Sequence, residues 1–283
     1  MDVSIVGSGY VGTTIAACLA DFGHTVRNID IDETIVETIN NGESPIHEPG
    51  LEEKITAYAG DTLIATTDYS ALLETDVVFV ALPTPAKPSG AINTDAIKAG
   101  VRSIGETLTD TQSPPLIVIK STVIPGTTTD TLIPLLETTS DRTVDEDIDV
   151  AVNPEFLREG TAVQDFLTPD KLVFGTNTSH ATNTLHALYD PLIESTNPPI
   201  IDTGRREAEF IKYANNAFLA TKISLINELG NIAKDHGVDA YEVADALGAD
   251  HRISEHFLRS GVGYGGSCFP KDLAALMYAA ESK

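Results

Sequence analysis

The chain is poor in cysteine and poor in positive charge. Only Cys18 and Cys268 occur in 283 residues, and two cysteines make no disulfide framework. There is no C-x-x-C pair, and the seven histidines are scattered, so no metal site is expected. His251 and His256 lie five positions apart, which does not place them on one helical face. Lys and Arg number 18 against 42 Asp and Glu, a formal net charge of -24. A nucleic-acid-binding surface needs the opposite sign, so that class is excluded. The chain also lacks an apolar run long enough to cross a membrane, and Met1 leads straight into a strand-like run rather than a secretory leader. No membrane partner is expected, and the expected location is the cytoplasm.

What is present begins with the acid itself. It is dispersed rather than gathered in a tail, as in DETIVETINNGE (32–43) and DRTVDEDID (141–149). Dispersed acid with little lysine suits a surface adapted to high salt, where self-repulsion is screened. The plain alternative is an ordinary acidic protein. The apolar fraction of 42% is that of a globular chain.

The most informative long segment is VSIVGSGYVGTTIAACLADFGHTVRNIDID (3–32). Val3 to Val6 is a short apolar run, as a buried parallel strand requires. Gly7-x-Gly9-x-x-Gly12 follows and opens a helical stretch to Phe22, which Gly23 ends. Thr25 to Ile29 is a second strand, closed by Asp30. Gly7 permits the tight turn, Gly9 lets a pyrophosphate approach the backbone, and Gly12 lets helix and strand pack closely. The helix N-terminus offers free N–H groups to the anion. Asp30 is placed to accept from a ribose 2′-hydroxyl and would repel a 2′-phosphate, so the expected cofactor is NAD rather than NADP.

Further strands are expected at Leu63–Thr66, Asp76–Leu82, Leu116–Lys120, Ile148–Val152, Leu172–Phe174 and Ile200–Ile201, with helical stretches between most of them. The fold class is therefore α/β: an N-terminal, doubly wound, Rossmann-like parallel sheet over residues 1–203, followed by an all-helical region, 204–283, with one long helix. In such sheets ligands sit beyond the C-terminal ends of the strands. The segments there are ALPTPAKP (81–88), KSTVIPGTT (120–128) and NPEFLREG (153–160). Each is rich in proline, threonine or carboxylates. Turn chemistry accounts for part of that, but three such loops on one edge point to a site.

From Arg205 to about Asp235 there is no proline, and apolar residues recur at Ile211, Ala214, Phe218, Leu225, Leu229 and Ile232. The simplest partner for a helix of that length is a second copy, giving a homodimer. The alternative is a helix spanning two domains of one chain. Lys212 and Asn216 share a face. Near the end stands GVGYGGSCFPKD (261–272). Four glycines free the backbone for a close approach, and Pro270 suits the first turn of a helix. Cys268 then lies near a helix N-terminus, where thiolate is favoured. A buried structural cysteine would not need the glycines, so Cys268 reads as a nucleophile. A dinucleotide site with a nucleophilic thiol suits oxidation of an alcohol through a thiol-bound aldehyde to a carboxylate.

GVGYGGSCFPKD resembles the catalytic loop of the nucleotide-sugar 6-dehydrogenases, the family of UDP-glucose and GDP-mannose dehydrogenases. GSGYVG near the start, PIHEPGL (45–51), KSTVIPG (120–126), NPEFLREG, EFIKYANNAFLATKISLINEL (209–229) and DHRIS (250–254) agree in order. The resemblance implies Cys268 as covalent nucleophile, Lys212 as oxyanion stabiliser with Asn216 beside it, and Asp272 holding Lys212 and helping to activate water. Thr122 and Glu159 would position that water, with Glu155 in support. It implies Gly7, Gly9, Tyr10, Val11, Gly12, Asp30, Thr84, Ser121 and Thr122 at the NAD site. At the nucleotide-sugar site it implies Glu155, Phe156, Leu157, Lys212, Asn216 and Gly265. Tyr264 and Phe269 look more like the UDP-glucose branch, since the GDP-mannose branch tends to have Phe and Leu there. The family's chains continue into a second Rossmann-like domain that holds much of the sugar nucleotide, and the 283 residues contain no second region in which a strand-like run leads through G-x-G-x-x-G into a helix and a second strand, as at 3–32. The chain as it stands is expected to bind NAD and to dimerise, with turnover impaired for want of that binding energy.

Overall fold

The computed structural model describes residues 1–281. Ser282 and Lys283, which end the expected helical region, lie outside the described residues. Two compact units are present. The first comprises Met1–Pro85 with Asn93–Phe210, and the second comprises Ala86–Ile92 with the chain from Ile211 onward.

The first unit is built on eight strands: β1 (Asp2–Val6), β2 (Thr25–Ile29), β3 (Leu63–Thr66), β4 (Val77–Val80), β5 (Leu116–Ile119), β6 (Val150–Val152), β7 (Leu172–Gly175) and β8 (Ile200–Thr203). Their order across the sheet is β3-β2-β1-β4-β5-β6-β7-β8. All neighbours pair in parallel except β6 and β7, joined antiparallel at Val152 and Gly175. Strands VVFV and LIVI are buried at every position, as a sheet covered on both faces demands. Helix α1 (Tyr10–Asp21) touches both α3 (Leu51–Tyr58) and α6 (Ala162–Leu167), which places the three in one layer. Helices α4 (Asp95–Thr107) and α5 (Ile133–Ser140) form another. The remaining helices of this unit are α2 (Glu33–Asn40) and α7 (Ser179–Thr196).

Helix α1 shows why the segment is rich in small residues. Gly12 through Ala20 are all buried, so the helix lies close on the sheet with little room for large side chains. Gly23, at φ +86, ends it with its N–H on the Ala20 carbonyl at 3.0 Å. The core joins Ile5, Ile15, Leu19, Phe79, Val118, Phe174 and Tyr189. Each such side chain contributes about 2 kcal/mol by leaving water. Three strands are shorter than expected: β6 begins at Val150 rather than Ile148, and β4 and β5 end early. β4 stops at Val80 and β5 at Ile119, because Ala81–Pro85 and Lys120–Gly126 turn away into loops.

The long helix α8 (Arg205–Asp235) has the expected bounds. Its first residue, buried Arg205, donates Nε to the Val150 carbonyl at 2.7 Å and pairs with Asp145. In the second unit, α8 is followed by α9 (Ala240–Gly248) and α10 (Cys268–Glu281). A small core there gathers Ile226, Ala244 and Leu258. Phe218, Leu225, Leu229 and Ile232 of α8 are exposed at spacings of seven, four and three. No described helix is long and apolar enough to cross a membrane.

Candidate active site

β1 lies between β2 and β4, so the chain reverses its winding direction there. Such a switch point opens a crevice at the C-terminal strand ends. Gly7 follows β1 directly. Its φ is +106, and a Cβ on it would stand 2.7 Å from the Ala81 carbonyl oxygen. A Cβ on Gly12 would stand 1.9 Å from the Gly7 carbonyl oxygen, whereas a Cβ on Gly9 would meet nothing within 4 Å. Two glycines of the motif thus serve packing inside the protein, and the middle one faces open space. Gly9 is the N-cap of α1 and no side chain caps that helix, so its first N–H groups remain for an anion.

Asp30, just past β2, accepts from Ser8 N at 2.6 Å and from Asp32 N at 3.0 Å. The carboxylate is held at the same turn and keeps lone pairs for a ribose hydroxyl. Tyr10, Val11 and Gly12 form the first turn of α1. Thr84 donates its hydroxyl to the Thr122 carbonyl at 2.8 Å, and Ser121 donates to the Leu82 carbonyl at 2.6 Å. These bonds tie the β4 and β5 loops together beside the turn. The open cradle, the uncapped N-terminus and the carboxylate fit an NAD pyrophosphate and ribose.

On the same strand edge, Glu155 is buried and accepts from Leu157 N at 2.6 Å. Phe156 lies under the Lys171 ammonium at 4.3 Å from the ring centroid, while Glu159 is exposed.

In the second unit, Lys212, Asn216 and Asp272 are all buried. Asn216 Nδ2 donates to Asp272 Oδ2 at 2.7 Å, and Lys271 Nζ donates to Asp272 Oδ1 at 2.6 Å. Asp272 thus accepts from both Asn216 and Lys271. Cys268 is the first residue of α10 and is exposed, with its Sγ 3.6 Å from Ser267 Oγ. Asp272 stands one turn further along the same helix. Gly261, Gly263, Gly265 and Gly266 have open space where a Cβ would project. Cys18 is the contrast: it sits in the core of the first unit, and burial pushes its thiol up to about 12.

Residues that the sequence reading left out are part of this architecture. Buried Glu209 accepts from Gly126 N at 2.5 Å and Thr128 N at 2.8 Å, holding the loop after β5, and burial raises its carboxyl pKa. Lys120 Nζ reaches Asn153 Oδ1 at 2.7 Å, and Tyr189 donates to the same oxygen at 2.7 Å. That buried cluster joins the bases of two site loops. Glu48 ties the far end of the second of these loops, at Gly160, to Tyr10 of the dinucleotide turn. The signal for each lay only inside a longer motif string, because a lone polar residue has no periodicity to expose it.

A doubly wound sheet with this turn defines a dinucleotide-binding protein. The pattern of the UDP-glucose/GDP-mannose dehydrogenase family, NAD binding domain, matches residues 1–193, and that of the family's central domain matches residues 206–283. The chain belongs to the UDP-glucose/GDP-mannose dehydrogenase family. It is 56% identical over 284 aligned residues to UDP-glucose 6-dehydrogenase AglM of Haloferax volcanii, covering 100% of this chain and 66% of that protein. It is 43% identical to GDP-mannose 6-dehydrogenase of Pseudomonas syringae pv. tomato, covering 100% of this chain and 64% of that protein. A solved UDP-glucose dehydrogenase from Pyrobaculum islandicum superposes with a TM-score of 0.92 at 39% identity, over 99% of this chain and 64% of that one. The chain thus spans about two thirds of the length of these relatives.

Proposed function

We propose that this chain is the NAD-binding and central portion of a cytoplasmic nucleotide-sugar 6-dehydrogenase that converts UDP-glucose to UDP-glucuronate. The observation that carries the reading is Cys268, an exposed thiol opening α10 one turn before the buried Asp272–Asn216 pair. The 56% identity with a UDP-glucose 6-dehydrogenase, over 66% of that protein's length, supports the choice of sugar.

NAD+, when bound, supplies the acceptor for the hydrides. The overall balance is one primary alcohol, two NAD+ and one water giving one carboxylic acid, two NADH and two protons. The protein's own groups carry the intermediates. The first oxidation takes a proton from the C6 hydroxyl and a hydride from C6, leaving an aldehyde. Cys268 Sγ then bonds to the aldehyde carbon and gives a thiohemiacetal. Loss of the second hydride leaves a thioester on Cys268. Water attacks that carbonyl, the C–S bond breaks, and the acid leaves with the thiol restored. Lys212 supplies positive charge to the oxyanions of the alkoxide and tetrahedral adducts, and Asn216 donates beside it. Asp272, which accepts from Asn216, holds Lys212 and helps to activate water. Thr122, Glu159 and Glu155 order the water for proton transfer and hydrolysis.

The alternative substrates are GDP-mannose or another UDP-sugar, favoured by the GDP-mannose relatives at 43% identity. Tyr264 and Phe269, whose rings meet edge-on at 6.0 Å between centres, are the residue types the resemblance gives to the UDP-glucose branch. NADH formation with UDP-glucose, GDP-mannose and UDP-N-acetyl-sugars in competition tests the assignment. UDP-glucose is expected to be oxidised preferentially, and preference for GDP-mannose would overturn the choice of sugar. A homodimer through α8 is part of the proposal, since the exposed Phe218, Leu225, Leu229 and Ile232 form a stripe at near-heptad spacing. The alternative of an inactive NAD-binding dimer requires that no sugar be oxidised.

The net charge of -24 supports a salt-adapted surface. The melting temperature is expected to rise between low and multimolar KCl as self-repulsion is screened. An unchanged melting temperature would remove the halophilic reading.

A further inference from the structure

The loop Asn153–Gly160 carries Glu155, Phe156, Leu157 and Glu159, yet much of its far end is fastened to another part of the sheet edge. Glu48, in the segment PIHEPGL, is 5% exposed. Its Oε2 accepts from Tyr10 Oη at 2.7 Å and Gly160 N at 2.9 Å, and its Oε1 accepts from Ala162 N at 2.6 Å. Tyr10 Oη also lies 3.0 Å from the Arg158 carbonyl. Arg158 turns its own guanidinium to Asp165. All partners of the Glu48 carboxylate are therefore neutral: a phenol and two backbone amides. A buried carboxylate with neutral partners is a costly fixture, and each bond it makes is charge-assisted.

The partners have one feature in common. Tyr10 is the first residue of α1 and follows Gly9, the open position of the dinucleotide turn. Gly160 and Ala162 bracket the end of the substrate loop. We propose that Glu48 is a positioning residue that couples the two sites, so that occupancy of the dinucleotide turn fixes Tyr10 and, through Glu48, orders the loop Asn153–Gly160. The inference rests on the NAD reading of the turn. By linkage, a sugar nucleotide that orders the loop raises NAD+ affinity by the same factor.

Amide hydrogen exchange with and without saturating NAD+ tests this. In the unaltered chain NAD+ slows exchange at residues 10–12 and, by about fivefold or more, at Gly160 and Ala162. Tyr10→Phe keeps the ring and removes the hydroxyl. The effect that NAD+ has at residues 10–12 of this variant is the internal reference, and relative to it the effect at Gly160 and Ala162 is expected to be lost. Glu48→Gln leaves Tyr10 in place and should lose the distant effect likewise. A purely structural Glu48 would instead change loop exchange equally with and without NAD+, leaving the NAD+ response intact in both variants, and that result overturns the proposal. Protection at residues 10–12 without protection at Gly160 and Ala162 in the unaltered chain overturns the coupling alone. No protection at residues 10–12 overturns the cofactor reading with it.

Discussion

Cys268→Ser is expected to reduce formation of UDP-glucuronate by at least ~10³-fold, the scale on which loss of a covalent nucleophile acts. The serine hydroxyl fits the same exposed position at the start of α10, so the substitution changes chemistry rather than packing. An alcohol oxygen at neutral pH does not trap an aldehyde as a thiolate does, and an ester linkage is a poorer acyl donor to water than a thioester. The melting temperature and NAD+ affinity should stay within error of the unaltered chain, since no core contact involves Cys268. Rapid-quench analysis of products, with NADH absorbance in parallel, reads the effect. Undiminished uronate formation in Cys268→Ser would remove the thiol from the mechanism. The corresponding change at Cys18 should act on stability instead, because that side chain is fully buried.

The second large effect is expected at the dinucleotide turn, where two neighbouring glycines should fail differently. A side chain at position 12 would start 1.9 Å from the Gly7 carbonyl oxygen, and that carbonyl is backbone. Gly7 cannot give way easily, because its own Cβ position is 2.7 Å from the Ala81 carbonyl oxygen. Gly12→Val therefore pushes α1 off the sheet, at about 3 kcal/mol or more, and NAD+ binding falls with it. Gly9→Ala meets nothing within 4 Å. It should fold with a normal melting temperature and lose NAD+ affinity by ~100-fold, because the methyl enters the place of the pyrophosphate. Calorimetry on the two variants separates packing from binding. A Gly9→Ala chain that binds NAD+ as tightly as the unaltered one would contradict the assignment of the open cradle.

The parts of the fold that the sequence disclosed are those governed by short-range periodicity. The β1–α1–β2 unit is legible because apolar runs, glycine spacing and a closing carboxylate all fall within thirty-two residues. The bounds of α8 follow from the lack of proline and the recurrence of apolar positions. Partnerships over long separations are different. Glu48 reaches Gly160 across 112 positions, and Glu209 holds Gly126 across 83. Nothing in local spacing specifies such a contact, since it depends on which strand ends the sheet order brings together. The membership of Ala86–Ile92 in the second unit was hidden for the same reason: that segment continues the loop Ala81–Pro85 after β4 and reads as part of an ordinary loop. Asp272 shows a third kind of limit. Its place in the motif was evident, but the bond it accepts from Asn216, 56 positions away, depends on how two helices face each other within the unit.

The measurement that bears most directly on the central claim is the ratio of NADH to uronate, taken with a mass analysis of the Cys268 peptide during turnover on UDP-glucose. The mechanism predicts two NADH per uronate and a sugar-nucleotide adduct on Cys268 that is absent in Cys268→Ser. One NADH per sugar with free aldehyde released, or a ratio of two with Cys268 replaced and no loss of rate, would contradict it.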